Sequence, residues 1–263
     1  MRKIGEVLTE LESAQRVTAA GDARPAASDE CPLCKGAGWL RSDVPLGHPL
    51  FGRPVMCECL SAKREEREFE DLLTFSNLDP FQHQTFENFD QKVPGVDAAF
   101  QAARKFARDP DGWLVLHGAY GCGKTHLAAA IANECISRRF RTLFVVVPEL
   151  LDHLRSTFAP SSEISYDELF ERVRNVPLLV LDDLGTESST PWAREKLYQI
   201  LNHRYNLRLP TVVTINEREF DMVDERIKSR MTDRALSEQM AIKSSSYREK
   251  QRGQRRLRTS RQA

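Results

Sequence analysis

The stretch GAYGCGKT, at residues 118–125, has the spacing G-x-x-x-x-G-K-T and separates two segments of different character. The apolar run WLVLHG at 113–118 precedes it and is typical of a strand buried on both faces. The alanine-rich run HLAAAIANECI at 126–136 follows it and predicts a helix. A strand, a glycine-rich loop and a helix in this order predict a phosphate-binding loop. The expected fold class is therefore α/β with a parallel sheet and flanking helices.

Each part of this loop has an expected role in binding ATP with magnesium, as in a P-loop NTPase. The glycines let backbone N–H groups approach phosphate oxygens, and the following helix N-terminus favours negative charge. Lys124 is expected to contact the β- and γ-phosphates, and the hydroxyl of Thr125 to bind magnesium. An incidental glycine-rich turn is the alternative, which the flanking elements disfavour. The predicted nucleotide-binding residues are Gly118, Tyr120, Gly121, Cys122, Gly123, Lys124, Thr125 and His126.

Polar side chains also end two later apolar runs. LLVLDDLG at 178–185 carries Asp182 and Asp183, and TVVTIN at 211–216 ends in Asn216. In a parallel sheet these ends lie beside the phosphate loop. We expect Asp182 to bind magnesium, Asp183 to orient the attacking water, and Asn216 to contact the γ-phosphate or that water. Paired aspartates can instead cap a helix.

Two arginines in RIKSRM, Arg226 and Arg230, share one face of a predicted helix at spacing i, i+4. A surface salt bridge is the ordinary interpretation of such arginines. Their place after the Asn216 strand favours an arginine finger, which acts on a neighbouring nucleotide site.

Four cysteines form two closely spaced pairs, Cys31 with Cys34 and Cys57 with Cys59. A C-x-x-C and a C-x-C pair can complete a tetrahedral zinc site, with a short hairpin expected between them. Such a closed site is expected to be structural, or to form a surface for a partner, and the metal would supply much of the stability of its module. Uncoordinated thiols are the alternative, and His48 is a possible substitute ligand. The run C-x-x-C-x-G-x-G also resembles one repeat of the DnaJ-type zinc motif in its local turn geometry.

Composition limits the class of protein. The 263 residues have a net charge of zero, but from Lys243 onward eight basic residues face one acid, so that segment is +7 and the remainder −7. No apolar run approaches the ~18 residues that span a bilayer, and no signal peptide is evident. We expect a cytoplasmic protein without a membrane partner.

The sequence predicts four regions. Residues 1–60 would hold an amphipathic helix (1–20) and the cysteine module, 61–90 a linker with an aromatic strap, 91–242 the ATPase domain, and 243–263 a basic disordered tail. The amphipathic segment could dock on a partner or pack on its own module. The strap contains Phe81, Phe86 and Phe89 and is expected to lie over the ATPase domain.

The motifs GAYGCGKT, LLVLDDLG, VVTIN and RIKSRM, in this order, resemble the AAA+ ATPases of the DnaC/DnaI-type replicative helicase loaders. The resemblance runs from Phe81 to Thr232 and implies an ATP-dependent loader of the replicative DNA helicase onto single-stranded DNA. It also implies self-association when ATP is bound, Arg230 as the arginine finger, and an extra initiator-type helix after Val147.

Two features depart from AAA+ ATPases in general, and the loaders that the chain resembles share the second. Asp183 stands where most AAA+ proteins have Glu, so slow hydrolysis is expected, and no helical lid follows Arg230. Two alternatives remain: an IstB-like transposition ATPase acting on DNA, and a zinc-bearing adaptor whose nucleotide site gates assembly without turnover.

Overall fold

The computed structural model describes residues 31–42, 44–49, 51–158, 165–186 and 190–244. The chain divides into two compact units, Met1–Arg67 and Glu68–Ala263. The helix predicted at 1–20 and most of the predicted tail lie outside the described residues. The four regions predicted from the sequence stay a prediction.

In the first unit, a short antiparallel hairpin separates the two cysteine pairs. It consists of β1 (Trp39–Arg41) and β2 (Pro54–Met56), with Trp39 opposite Met56. Helix α1 (Glu58–Phe75) begins directly after Cys57, and the N–H of Cys57 donates to the carbonyl of Gly38 at 2.8 Å. The predicted hairpin is thus present, and it holds the two cysteine turns side by side.

The second unit contains a five-stranded parallel sheet with the order β4-β5-β6-β3-β7. The α/β class predicted from the sequence is confirmed. Three of these strands coincide with the apolar runs described above, and the fourth lies in a similar run, predicted as a buried strand at 142–147. The fifth, with the sequence SEQMAI, was not predicted. The strands are β3 (Trp113–Gly118), β4 (Thr142–Val146), β5 (Leu178–Leu184), β6 (Thr211–Asn216) and β7 (Ser237–Ile242).

Helices cover both faces of this sheet, because alternate residues of the buried strands point to opposite sides. Leu114 and Leu116 face α2 and α3, whereas Trp113 and Val115 face α4, α5, α6 and α8. The helices are α2 (Asp97–Arg108), α3 (Lys124–Ser137), α4 (Val147–Ser156), α5 (Tyr166–Asn175), α6 (Pro191–Asn206), α7 (Glu217–Phe220) and α8 (Glu225–Met231). Along the chain, α4 and α5 both come after β4 and before β5. The family resemblance implies an extra helix in this part of the sequence.

The aromatic strap lies over the ATPase domain, where it packs on the α2–α3 side of the sheet. Phe86 and Phe89 are buried against Phe100 of α2, with ring centroids 5.7 and 5.5 Å away. The side-chain amide of Asn133 on α3 donates to the carbonyls of Phe81 and Gln84, both at 3.1 Å. Asn133 lies in the second half of α3, whereas Phe89 lies against Gly123 just before its start, so the strap runs along α3 to the phosphate loop.

Among the described residues, the helices are too short or too polar to cross a membrane.

Candidate functional site

The phosphate loop joins the end of β3 to the start of α3 and requires its glycines. Gly121 and Gly123 have φ values of +73° and +108°, in the region that favours glycine. A Cβ on Gly118 would lie 2.6 Å from the carbonyl oxygen of Ile242, and one on Gly123 would lie 3.0 Å from the ring of Phe89. The loop can adopt this shape only because these positions lack side chains.

Lys124 is 5% exposed, and its ammonium group is held inside the loop. Nζ donates to the carbonyls of Gly118 at 3.0 Å and Ala119 at 2.9 Å, and the Cys122 sulfur lies 3.9 Å away. All three neighbours are neutral. A buried cation with neutral acceptors is suited to a stronger, charge-assisted interaction with phosphate.

The carboxylate of Asp182 is buried beside the loop. It accepts a hydrogen bond from Thr214 at 2.6 Å and another from Thr125, the residue after the loop lysine. Burial raises its pKa to about 6, an effect strengthened by the neighbouring Asp183 and opposed by the hydrogen bonds of Thr214 and Thr125. A hydroxyl and a carboxylate in contact form a donor set that fits magnesium.

Asp183 adopts a left-handed conformation with φ +57°. The pairing of β5 with β6 shifts register between Leu181 and Leu184, and the N–H of Asp183 donates to Thr214 Oγ1 at 2.9 Å. Neighbouring strand residues normally point to opposite faces, and an irregularity of this kind redirects one of them. It turns Asp183 into the wall of the cavity at the phosphate loop.

Asn216 is 3% exposed at the end of β6 and caps α7, accepting the N–H of Arg218 at 2.9 Å. Its side-chain nitrogen, Nδ2, has no hydrogen-bond partner within the described part of the chain. A buried donor without a partner is costly in isolation. This spare donor fits the predicted contact with a γ-phosphate or its attacking water.

The two arginines of α8 have different surroundings. Arg226 forms ion pairs with Asp224 at 2.9 Å and Glu195 at 3.4 Å. Arg230 forms no ion pair within the described ranges, and its guanidinium lies 5.1 Å from the Tyr198 ring centroid and donates to Asn202. The salt-bridge interpretation therefore holds for Arg226 only, and Arg230 does not line the cavity of its own chain.

A cavity of about 430 Å³ lies between the strap and the phosphate loop. Most of the predicted loop residues line it. Further residues in its wall were not predicted as site residues, because irregular segments have no periodic pattern, although Phe81 and Phe89 were predicted to belong to the strap. Those additional wall residues are Phe81, Gln84, Asn88, Phe89, Asp90, Val93, Val96 and Ser244.

Two of the predicted loop residues connect the loop to its surroundings. The ring nitrogen Nε2 of His126 pairs with the carbonyl of Thr85 at 2.8 Å, and its ring packs edge-on against Phe89. Tyr120 is exposed, and its hydroxyl donates to Glu219 on α7. His126 thus holds the strap, and Tyr120 holds the helix that follows Asn216.

The four predicted cysteines form a compact cluster in the first unit, with all sulfur atoms within 4.8 Å of one another. Sulfurs of Cys31 and Cys57 are 3.7 Å apart, and those of Cys34 and Cys59 are 3.3 Å apart. Four sulfurs at ~2.3 Å around a tetrahedral zinc ion are separated by about 3.8 Å. The cluster thus has the spacing of a zinc site, and His48 is not part of it.

Backbone N–H groups in the cysteine turns stabilise negative charge on the sulfurs. The N–H groups of Cys34 and Leu33 lower the pKa of Cys31 to about 6. The hydrogen bond with Cys34 and the crowding of the other sulfurs raise the pKa of Cys59 to about 12. In this cluster, negative charge on one sulfur disfavours negative charge on the others. A bound cation would remove this repulsion and stabilise all four cysteines as thiolates.

The parallel sheet, the phosphate loop and the strand-end aspartates define the second unit as a P-loop ATPase domain with the AAA+ fold. The family model for IstB-like ATP binding proteins matches residues 55–255. The replicative helicase loader DnaC of Escherichia coli strain K12 is 31% identical over 178 residues, covering 64% of this chain and 72% of DnaC. The chain belongs to the IstB-like ATP-binding family and is a relative of the DnaC and DnaI loaders.

Two further similarities cover the ATPase domain. The replicative helicase loader DnaI of Bacillus subtilis strain 168 is 33% identical over 138 residues, covering 50% of this chain and 43% of DnaI. A crystal structure of the DnaC helicase loader aligns with a TM-score of 0.54 at 25% identity, covering 63% of this chain and 99% of that one. The resemblance inferred from the sequence motifs is thereby confirmed.

Proposed function

We propose that this protein is an ATP-dependent loader of the replicative DNA helicase onto single-stranded DNA. One observation carries the proposal: Lys124, Asp182, Asp183 and Asn216 meet at the phosphate-loop end of the sheet in a chain related to DnaC. The cavity beside them is large enough for a nucleotide.

The nucleotide site fits ATP with magnesium. Loop N–H groups and Lys124 would hold the phosphates, and Thr125 with Asp182 would hold magnesium, which neutralises charge developing on the phosphates. Asp183 would orient the attacking water from the cavity wall. Because the side chain of Asp183 is one methylene shorter than that of Glu, we infer slow hydrolysis of ATP. The protein would then remain in its ATP-bound state for a long time after binding.

The cysteine cluster would hold one structural zinc ion. All four positions are filled by cysteine, so no open coordination site remains for catalysis. The metal would stabilise the hairpin and the start of α1. We propose that this module, with the amphipathic segment at 1–20, grips the helicase while the second unit binds ATP.

A group of aromatic and basic side chains on α4, in the turn after it, and on α5 and α6 supports single-stranded DNA as a ligand. Phe158 is 60% exposed and stacks on Tyr166 with ring centroids 5.0 Å apart. Arg155 lies 5.3 Å from the ring centroid of Trp192, and Lys196 lies 5.2 Å from that of Tyr166. Unpaired bases stack on such rings while nearby cations contact the phosphates.

Self-association would complete the site. Arg230 lies outside the cavity of its own chain and has no carboxylate partner in the described ranges. We propose that it reaches the nucleotide of a neighbouring copy. An ATP-bound assembly would then hydrolyse ATP through a composite site.

A second candidate is an IstB-like transposition ATPase, which the matching family model favours.

Purified full-length chain should be tested for binding to the replicative helicase of its own host, and for helicase transfer to circular single-stranded DNA with ATP. Phe158→Ala should reduce transfer without reducing helicase binding. Failure to bind the helicase, together with ATP-dependent stimulation of a transposase on duplex DNA, would favour the second candidate. Helicase binding and transfer without any ATP hydrolysis would favour the third possibility, a zinc-bearing adaptor whose nucleotide site gates assembly without turnover.

A further inference from the structure

Helix α7 is a single turn of four residues, Glu217–Phe220, and it begins directly after Asn216. A helix this short is not stable by itself, because ordering its first turn costs more conformational entropy than its few hydrogen bonds return. Its position therefore depends on contacts with the rest of the domain. Three such contacts join α7 to the phosphate loop, to the turn after β5 and to the end of β3.

Glu219 makes two of these contacts. Its carboxylate accepts a hydrogen bond from the hydroxyl of Tyr120 in the phosphate loop. A Cβ on Gly185 would lie 2.9 Å from the Cβ of Glu219, so α7 packs closely on the turn after β5. The third contact is made by His117 at the end of β3, whose Nδ1 lies 3.8 Å from the carboxylate of Glu217.

The hydrogen bond from Tyr120 matters to Glu219 because the other carboxylate oxygen, Oε2, is buried and has no partner among the described residues. The pKa of Tyr120 is raised by this hydrogen bond, by burial, and by the negative charges of Glu219 and Asp183. The phenol therefore stays protonated at neutral pH and remains a donor. Tyr120 and Asp183 both line the cavity, so the bond lies on the side of the site where Asp183 would orient water.

The position of α7 in turn determines the orientation of the Asn216 amide. Oδ1 of Asn216 accepts the N–H of Arg218 on α7 at 2.9 Å. The oxygen and the nitrogen of an amide lie on opposite sides of its plane, so this bond directs Nδ2 away from α7. Asn216 is also paired with Gly118 in the register of β6 with β3, which places it beside the first residue of the phosphate loop. Its buried, unpartnered donor is thus held beside the loop.

We propose that Tyr120 and Glu219 are positioning residues that enable the nucleotide site to distinguish ATP from ADP. Their hydrogen bond holds α7 against the phosphate loop, and α7 holds Asn216 with Nδ2 toward the γ-phosphate. ADP has no γ-phosphate, so the pair strengthens the binding of ATP and not that of ADP. The inference rests on ATP binding at the loop with Asn216 at the γ-phosphate, as proposed above.

The test measures, by calorimetry with magnesium, the affinities of the full-length chain for ADP and for a non-hydrolysable ATP analogue. The wild type should bind the analogue more tightly than ADP. Tyr120→Phe keeps the ring and removes the hydroxyl. It should weaken analogue binding about three- to tenfold and change ADP binding less than about twofold. The ADP affinity therefore reports whether the phosphate loop is still intact.

Glu219 provides a second, independent variant on the other side of the same hydrogen bond. Glu219→Ala removes the acceptor and should have the effect of Tyr120→Phe. Glu219→Gln keeps a carbonyl oxygen that can accept from Tyr120, so it should retain most of the preference for the analogue.

A double variant tests whether the pair acts through Asn216. Serine caps helices as asparagine does but has no amide donor, so Asn216→Ser should lose the preference for the analogue while keeping α7 capped. Adding Tyr120→Phe to Asn216→Ser should then cause no further loss. The matched control is Tyr205→Phe, which removes a comparable hydroxyl–carboxylate hydrogen bond, to Asp233 at 2.6 Å, away from the cavity. Both of its affinities should equal those of the wild type.

Four results would overturn the positioning role: equal losses of analogue and ADP affinity in Tyr120→Phe, wild-type analogue affinity in both Tyr120→Phe and Glu219→Ala, a further loss when Tyr120→Phe is added to Asn216→Ser, or equal affinities of the wild type for ADP and the analogue. In each case nucleotide binding by the wild type would stand. A wild type that binds neither nucleotide would instead overturn the proposed nucleotide function, and this inference with it.

Discussion

Thr214 on β6 donates its hydroxyl to the carboxylate of Asp182 on β5 at 2.6 Å. The hydroxyl oxygen of Thr214 also accepts a hydrogen bond from the backbone N–H of Asp183 at 2.9 Å. One side chain therefore orients both neighbouring aspartates. It also opposes the rise in the pKa of Asp182 that burial causes. Thr214 is thus the residue through which β6 determines the geometry of the expected magnesium site.

Thr214→Val keeps the shape of this side chain but removes both hydrogen bonds. We expect the magnesium concentration needed for nucleotide binding to rise about tenfold, as when other residues that orient metal ligands are lost. Calorimetric titration of nucleotide at several magnesium concentrations measures this. Thr214→Ser should restore wild-type behaviour, and an unchanged magnesium requirement in Thr214→Val would contradict the role given to Thr214.

Lys124→Ala should abolish detectable ATP binding, because the loop loses its buried cation. Asp182→Asn should have a different effect: binding without magnesium should change little, while magnesium should no longer strengthen it. Fluorescent nucleotide titrations with magnesium and with a chelator separate the two cases. Retention of wild-type affinity by Lys124→Ala would show that the phosphate loop is wrongly assigned.

One equivalent of zinc should accompany the purified chain and should disappear in the double variant Cys31→Ser with Cys59→Ser. Those residues come from the two different pairs, so both turns lose a ligand. Elemental analysis measures the metal, and helicase binding should be lost while ATP binding remains. The control is Cys135→Ala, which removes a buried thiol of α3 outside the cluster and should leave zinc content unchanged. Absence of zinc from the wild type would rule the site out.

The sequence predicted the sheet core well because buried parallel strands are continuous apolar runs. It missed β7 because SEQMAI lies at the sheet edge, where two of its six residues are exposed and three are only partly buried. That strand forms through backbone pairing with β3, which leaves no apolar pattern. Because β7 was not predicted, the position of Ser244 in the cavity wall was not predicted either, since Ser244 lies just after the end of β7.

The candidate site shows a similar limit. Motif spacing predicted Lys124 from the phosphate-loop pattern, and it predicted Asp182 and Asn216 from the ends of two apolar strands. It did not indicate the register shift that turns Asp183 toward the cavity, since that depends on pairing with β6. Helical spacing alone did not separate Arg226 from Arg230, which only the family resemblance distinguished. One of the two ion-pair partners of Arg226, Glu195, is on α6 and distant in sequence.

Arg230→Ala tests the composite site. Because Arg230 does not line its own cavity, the variant should bind ATP as tightly as wild type but hydrolyse it at least tenfold more slowly when assembled on single-stranded DNA. Arg226→Ala is the matched control on the same helix face. It breaks ion pairs within the chain at the surface and should retain most activity.

The decisive measurement mixes Arg230→Ala with Asp183→Asn. The first variant supplies an intact nucleotide site without a finger, and the second supplies an intact finger beside a site that cannot orient water. Mixed assemblies therefore contain some interfaces at which both parts are intact, and ATPase activity should partly recover. A mixture as inactive as its components, although both variants still assemble, would show that Arg230 acts only within its own chain, where it donates to Asn202 and packs on Tyr198.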